Sequence, residues 1–131
     1  MIFIDSGAFI ARGLAGDRHH AAALAHWGKL RSQSCFTSNL VLSEVLTLLA
    51  RRSSYEFAAD YARTFFTSGV LTILRTDLQD EWQAVALMAK FKDQQVSFAD
   101  CTSFVLMRKH KIRRAFSFDR HFTLAGFRVE P

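Results

Sequence analysis

Short apolar runs alternate along the chain with longer stretches of helical period. Ile2-Phe3-Ile4 reads as a buried strand that stops at Asp5. Residues 18–32 place Leu24, Trp27 and Leu30, with Ala21, on one helical stripe. Cys35-Phe36-Thr37 predicts a second strand, and Leu40 to Arg52 an apolar helix whose Arg51-Arg52 end suits the negative pole of its dipole. Ser53-Ser54-Tyr55-Glu56 has the spacing of a capping box and opens a helix that Gly69 stops. Val70 to Leu74, with Thr72 and Ile73 β-branched, predicts a third strand. Thr76-Asp77 opens a helix with Leu78, Trp82, Val85 and Ala89 on one face. Ser97 caps a further helix that holds Asp100 in its first turn and runs to about His110. Ala115 to Phe118 predicts a fourth strand ending at Asp119, and Phe127 to Val129 a fifth. Strands interleaved with helices predict an α/β fold with a largely parallel sheet. In such sheets ligands sit beyond the carboxyl ends of the strands.

Length and composition narrow this picture to one domain spanning residues 1–131. Half of the 131 residues are apolar, enough for a sizeable core without metal or disulfide staples. Thirteen Phe and two Trp against a single Pro, at position 131, exclude a disordered or low-complexity chain. The net charge of +5 favours a polyanionic partner. Cys35 and Cys101 are too far apart in sequence for a paired zinc motif and read as buried free thiols of a reducing compartment. Met1 to Asp5 lacks the basic segment of a secretory signal, and no apolar stretch approaches a membrane span. A cytoplasmic protein with no membrane association is expected.

The few acids are placed informatively. Asp5 and Asp119 each follow an apolar strand, at the carboxyl edge of the sheet. Glu44 lies in an otherwise apolar helix among Leu42, Val45, Leu46, Leu48 and Leu49. Asp100 is flanked by Phe98, Cys101 and Phe104. Each acid also has a structural reading: a turn or N-cap for Asp5 and Asp119, dipole compensation for Asp100, a buried arginine partner for Glu44. Taken together, one sheet edge gathers all four. Each pair about 4 Å apart would cost on the order of 4 kcal/mol at an effective dielectric near 20, a cost removed by protonation or by a hard cation. Oxygen ligands point to Mg²⁺ or Mn²⁺ rather than zinc, and a metal in an acidic cleft of a basic protein points to phosphodiester hydrolysis.

The segments Ile4-Asp5-Ser6, Thr37-Ser38 followed by Ser43-Glu44-Val45, Val96-Ser97-Phe98-Ala99-Asp100 and Phe116-Ser117-Phe118-Asp119-Arg120-His121-Phe122 together resemble the PIN domain (PilT N-terminus) nucleases, most of all the VapC-like toxins. Ser6 stands where threonine is commonest, and the hydroxyl is kept. The resemblance implies a PIN-like three-layer sandwich, a short mostly parallel sheet flanked by helices. It implies a Mg²⁺-dependent endoribonuclease with tRNA or rRNA as substrate, a small antitoxin protein as partner, and a homodimer. Carried over by position, Asp5, Glu44, Asp100 and Asp119 form the catalytic acidic quartet. Asp5 and Asp100 would be the principal metal ligands, supported by Glu44 and Asp119. Ser6 and Ser117 match the small polar positions beside the acids.

Arg12, Arg18 and Arg120 lie near the acidic edge in sequence and are candidates for phosphate contact. The basic run Arg108, Lys109, Lys111, Arg113, Arg114 precedes the Asp119 strand at its far end, so it reads as a solvated helix end or a distant RNA contact. His19 and His26 share a helix face but lie about 10 Å apart along the axis, too far for one ion; they are expected to be exposed. His121 follows Asp119 closely enough to touch substrate. Tyr61, Phe65 and Phe66 read as core or dimer surface, because the helix from Tyr55 to Phe66 carries more aromatics than one core face needs. A haloacid-type phosphatase needs a second Asp at position 7, which is Gly, and a receiver domain needs paired acids and a late Lys that are lacking here. The remaining rivals are a housekeeping PIN nuclease without a toxin role and a non-catalytic RNA- or partner-binding PIN-like domain.

Overall fold

In the computed structural model, which describes residues 1–131, five short strands form one wholly parallel sheet in the order β3-β2-β1-β4-β5. In chain order the elements are β1 (Ile2–Ile4), α1 (Ser6–Gly13), α2 (His20–Lys29), β2 (Cys35–Ser38), α3 (Asn39–Arg52), α4 (Tyr55–Thr67), β3 (Leu71–Leu74), α5 (Leu78–Lys90), α6 (Phe98–Lys109), β4 (Arg114–Phe116), α7 (His121–Leu124) and β5 (Arg128–Glu130). A 3₁₀ turn, Lys92–Gln94, joins α5 to α6. The α/β expectation holds, and no helix is long and apolar enough to cross a membrane.

The central strand β1 is buried at all three residues, which is what a parallel strand covered by helices requires. Its Ile2, Phe3 and Ile4 join Phe9, Leu49, Phe104, Leu106, Phe116 and Phe122 in a single core. Edge-to-face aromatic contacts bind that core, with Phe104 against Phe122 at 5.1 Å and Phe9 against Phe65 at 4.7 Å. Cys35 and Cys101 are free and buried, as expected.

The carboxyl ends of β1 and β2 pass directly into helices. Ser38 caps α3 by accepting the Val41 N–H, and Ser97 caps α6 by accepting the Asp100 N–H. Gly126 turns the chain from α7 into β5 at φ +93°, a conformation that side-chain-bearing residues rarely adopt.

Several local expectations are corrected. On α2 the buried stripe is Ala23, His26 and Leu30 with Trp27 half-buried, while Ala21 and Leu24 face outward. The cap of α4 is Ser54, not Ser53, so Glu56 falls at the second helical position and the predicted reciprocal box does not form. A true capping box opens α5 instead, between Asp77 and Asp80. The face of α5 that carries Leu78, Trp82 and Val85 is exposed; the buried side is Asp80 and Ala84, with Leu87 half-buried, where the helix packs on α6. The strand predicted over 115–118 ends at Phe116, and α1, α7 and the 3₁₀ turn lie outside the elements that the apolar pattern predicts.

The basic run is split rather than solvated as one patch. Arg108 donates to the Ala125 carbonyl at 3.2 Å, and Lys109 donates to Asp80 at 3.0 Å. Arg114 grips Glu130 with two bonds, at 2.6 and 2.8 Å, and reaches Gln33 at 2.8 Å. Lys111 and Arg113 remain exposed and without an acidic partner.

Candidate active site

Asp5 stands at the N-cap position of α1 with extended backbone, yet its side chain makes no capping bond. The carboxylate instead accepts the Ser117 hydroxyl at Oδ2, 2.8 Å away, and lies 3.4 Å from the Ser6 hydroxyl at Oδ1. It is 4% exposed. Burial pushes its pKa up to about 7, Asp100 and Glu44 push it the same way, and the bonds from Ser117 and Ser6 oppose them. No lysine or arginine is among the groups that act on it. Asp5 is thus the N-cap of α1 by position and backbone, but its carboxylate is turned to Ser117 and does no capping.

The other three acids close around it from separate elements. Asp100 projects from the first turn of α6; burial raises its pKa, Asp119 raises it further, and His121 and Ser97 lower it. Glu44, the most exposed of the four, stands in α3, where partial desolvation, Asp100 and Asp119 raise its pKa against the Ser6 hydroxyl. It finds no arginine partner. Asp119 forms a turn: its Oδ1 accepts the His121 N–H at 2.9 Å, and its own N–H donates to the Ser117 Oγ at 3.0 Å. The turn reading of Asp119 is therefore correct, and the turn is what aims it at the cluster. Ser117 is 1% exposed and ties Asp5 to Asp119 from behind, so it positions the acids instead of facing solvent.

The structure adds one donor that the acidic pattern passes over. Nδ1 of His121 lies 3.3 Å from Asp119 Oδ1 and 3.5 Å from Asp100 Oδ2, buried and without a well-formed hydrogen bond. The three candidate ligand atoms of Asp100, Asp119 and His121 all fall within 4.8 Å of one another. An orphaned buried nitrogen beside two carboxylates, next to an Asp whose charge nothing neutralises, fits a divalent cation. The only signal for His121 in the sequence is its place two residues after Asp119.

Beyond the acids opens a cleft of about 790 Å³ lined by Asp5, Ser6, Asp119, Arg18, Arg52 and Arg120. Arg18 and Arg120 thus fall where phosphate contact was expected, and Arg52, read only as a helix-end charge, joins them. Arg12 does not. Its guanidinium sits 4.5 Å over the Trp27 ring and lines a separate apolar groove with Phe9, Trp27 and Tyr61. The histidines of the N-terminal half separate as well. His26 is buried, contrary to expectation, with Nε2 3.2 Å from Glu130 and its ring against Phe116. His20 Nδ1 meets the Ala11 carbonyl at 2.7 Å, and His19 stacks on Phe118. Tyr61 donates to the Phe9 carbonyl at 2.9 Å and, with Phe65, belongs to the core, while Phe66 is exposed.

A parallel sheet in this order, with four acids drawn to its carboxyl edge, defines the class: the PIN domain model matches residues 2–127, and the chain belongs to the PIN domain family. It is a nuclease of that family, whose members depend on metal. The chain is 38% identical over 127 residues, 97% of its length and 95% of the relative's, to the 23S rRNA-specific endonuclease VapC20 of Mycobacterium tuberculosis. The crystal structure of that protein, described as a Sarcin-Ricin loop cleaving toxin, superposes with a TM-score of 0.90 at 35% identity, covering 97% of this chain and 96% of that one. More distant likeness, to FitAcB from Neisseria gonorrhoeae (TM-score 0.75, 14% identity, 100% and 97% of the two chains) and to DNA-bound VapBC from Salmonella typhimurium (0.71, 15%, 98% and 96%), concerns the fold alone.

Proposed function

We propose that this protein is a metal-dependent endoribonuclease that cuts ribosomal RNA and serves as the toxin of a toxin–antitoxin pair. One observation carries the chemistry: a buried Asp5 carboxylate gathered with other acids at the sheet edge, held by hydroxyls and with no cationic side chain to relieve it. In this reading Asp5 and Asp100 hold Mg²⁺, which Mn²⁺ can replace, and Glu44, Asp119 and His121 complete the surroundings. When bound, the ion supplies Lewis acidity toward the phosphodiester. The protein's own groups do the positioning. Ser117 fixes the Asp5 carboxylate, the Asp119 turn sets His121, and Arg18, Arg52 and Arg120 hold flanking phosphates, with Ser6 at the cleft floor.

The likeness to VapC20 over nearly the whole chain supports the ribosomal substrate. Purified protein is to be incubated with ribosomes, with naked ribosomal RNA and with tRNA, in Mg²⁺ and in EDTA, and the new RNA ends mapped. A single Mg²⁺-dependent cut in large-subunit RNA is expected. Cleavage of tRNA alone would move the substrate, and cleavage that survives EDTA or Asp5→Asn would overturn the metal-dependent reading. Expression without an antitoxin should arrest growth, and Asp100→Ala should relieve the arrest; harmless wild type would leave a housekeeping nuclease. The exposed apolar residues Tyr55 and Phe66 on α4, and Leu78, Trp82 and Val85 on α5, support a homodimer, which light scattering at micromolar concentration tests.

A further inference from the structure

His19 and Phe118 face each other across the cleft wall with ring centroids 4.2 Å apart and planes 2° from parallel. The pair is held in place. The His19 N–H donates to Asp17 Oδ1 at 2.8 Å, and Arg18 Nε donates to His19 Nε2 at 3.1 Å, which fixes the ring as an acceptor at that nitrogen. Phe118 is braced from behind by Phe116 at 6.0 Å, edge to face. Both rings are half-buried and line the same cleft as Asp5 and Asp119. Around them Arg18, Arg52 and Arg120 are exposed and in no ion pair, whereas Arg114 and Lys109 elsewhere are already engaged by acids.

A braced aromatic pair ringed by guanidiniums that no acid engages, on the cleft that also holds Asp5 and Asp119, matches what an unstacked nucleotide presents: a flat base and charged phosphates on either side. We propose that the His19–Phe118 pair is the platform on which the base next to the scissile phosphate stacks, making these two residues the ones that select an unpaired nucleotide. The inference rests on the RNA-cleaving reading above. A base on this platform has left its own helix, so double-stranded RNA is a poor ligand and a loop or single strand a good one.

The test is binding in the absence of turnover. Protein carrying Asp100→Asn is titrated with a short single-stranded RNA bearing 2-aminopurine, and with the same RNA made abasic at that position. Stacking should quench the 2-aminopurine fluorescence and tighten binding about 5- to 160-fold over the abasic strand, the range of base–aromatic stacking. Adding His19→Ala should abolish both the quench and the preference, and His19→Phe should restore them. Arg52→Ala should weaken the intact and abasic strands alike. If His19→Ala leaves the quench and the preference intact, or if His19→Phe fails to restore them in a protein that melts like the parent, the platform is refuted. Cleavage by the wild-type chain is read separately: a cutting enzyme with no stacking signal overturns this inference alone, and a non-cutting protein overturns the nuclease reading whatever the fluorescence shows.

Discussion

At the end of β5, Glu130 accepts two bonds from Arg114 and lies 3.2 Å from His26, and its pKa is held low by the Arg114 guanidinium. At the end of β1, Asp5 is buried more deeply than Glu130 and meets only hydroxyls and other acids, and burial first, then its acidic neighbours, push its pKa up to about 7. The two sites occupy the same edge of one sheet, since Ile4 pairs with Phe116 and Phe116 with Glu130. Strand alternation separates them. Phe116 and Glu130 both meet His26, while Ser117, one residue on, meets Asp5. The fold neutralises the Glu130 carboxylate with Arg114 and leaves the Asp5 carboxylate crowded by other acids. The first is a structural pair; the second requires a cation from outside.

The largest test of that distinction is activity. Asp100→Asn should reduce cleavage to the limit of detection, because it removes a charge that the cation needs. Glu130→Gln should leave turnover per folded molecule at the wild-type level. Equal losses in the two variants, measured on the same RNA, would erase the functional half of the comparison.

Stability against pH gives the next effect. A group whose folded pKa is raised from 3.8 to about 7 costs nothing below the unfolded value and destabilises progressively as pH rises between the two, with the full penalty above about 7. The upper bound at neutral pH is roughly 4 kcal/mol. His26 works in the opposite sense. Burial lowers its folded pKa, so stability is lost as pH falls below about 6.5. The clean measurement is therefore the difference between wild type and Asp5→Asn in EDTA, followed by chemical denaturation from pH 5 to 8. Asn should be the more stable, by a margin that widens with pH. Mg²⁺ at about 100 times its dissociation constant should return roughly 2.7 kcal/mol to wild type and little to the variant. A margin independent of pH would mean that Asp5 is not the crowded acid.

Ser117→Ala sharpens the same contrast from behind the site. The hydroxyl donates to Asp5 and accepts from the Asp119 backbone, so its loss loosens two acids at once. Mg²⁺ affinity should fall about 10- to 100-fold, the usual cost of removing a group that orients a ligand. Calorimetric titration of metal into both proteins reads this directly, and an unchanged affinity would reduce Ser117 to a packing residue.

The acids were legible in the sequence because each interrupts an apolar context: Asp5 after Ile2-Phe3-Ile4, Glu44 among leucines, Asp100 between Phe98 and Cys101. A charge in such a place has few destinations other than a cleft. What was not legible depends on which side of an element meets the rest of the fold. Helix α5 has a clear apolar stripe, Leu78-Trp82-Val85, but that stripe faces outward, and the buried side holds Asp80 because Lys109 and the Asp77 N–H satisfy it. Likewise His26 is buried because Glu130, more than 100 residues away in the chain, lies beside it. His121 entered the site through a turn that Asp119 builds, and Arg52 through the approach of α3 to the Gly16–His19 loop across the cleft. Periodicity finds a helix and its stripe; only the long-range partners decide what the stripe faces.

The smallest expected effect lies at the neutralised site, and it tests whether Glu130 is held as described. Arg114→Met keeps the aliphatic stem but removes both bonds to Glu130 and the contact with Gln33. Arg114 is about a third exposed at its side chain, so screening discounts the loss, and about 1–2 kcal/mol of stability is expected to go. The sign with pH is fixed by Glu130. Its folded pKa is depressed, so the Arg114 contribution is present above the unfolded value near 4.5 and disappears as pH falls through the folded one. The two proteins should therefore differ at pH 7 and converge in acid. A second readout separates charge from packing. Arg114 lowers the pKa of His26 and Glu130 raises it, so removing the guanidinium leaves His26 facing an unshared carboxylate. The His26 ring should titrate at higher pH in Arg114→Met, as followed by its NMR chemical shift. A His26 titration that stays where it was, together with a stability gap that persists in acid, would show that Arg114 acts there as packing and that Glu130 owes its charge to something else.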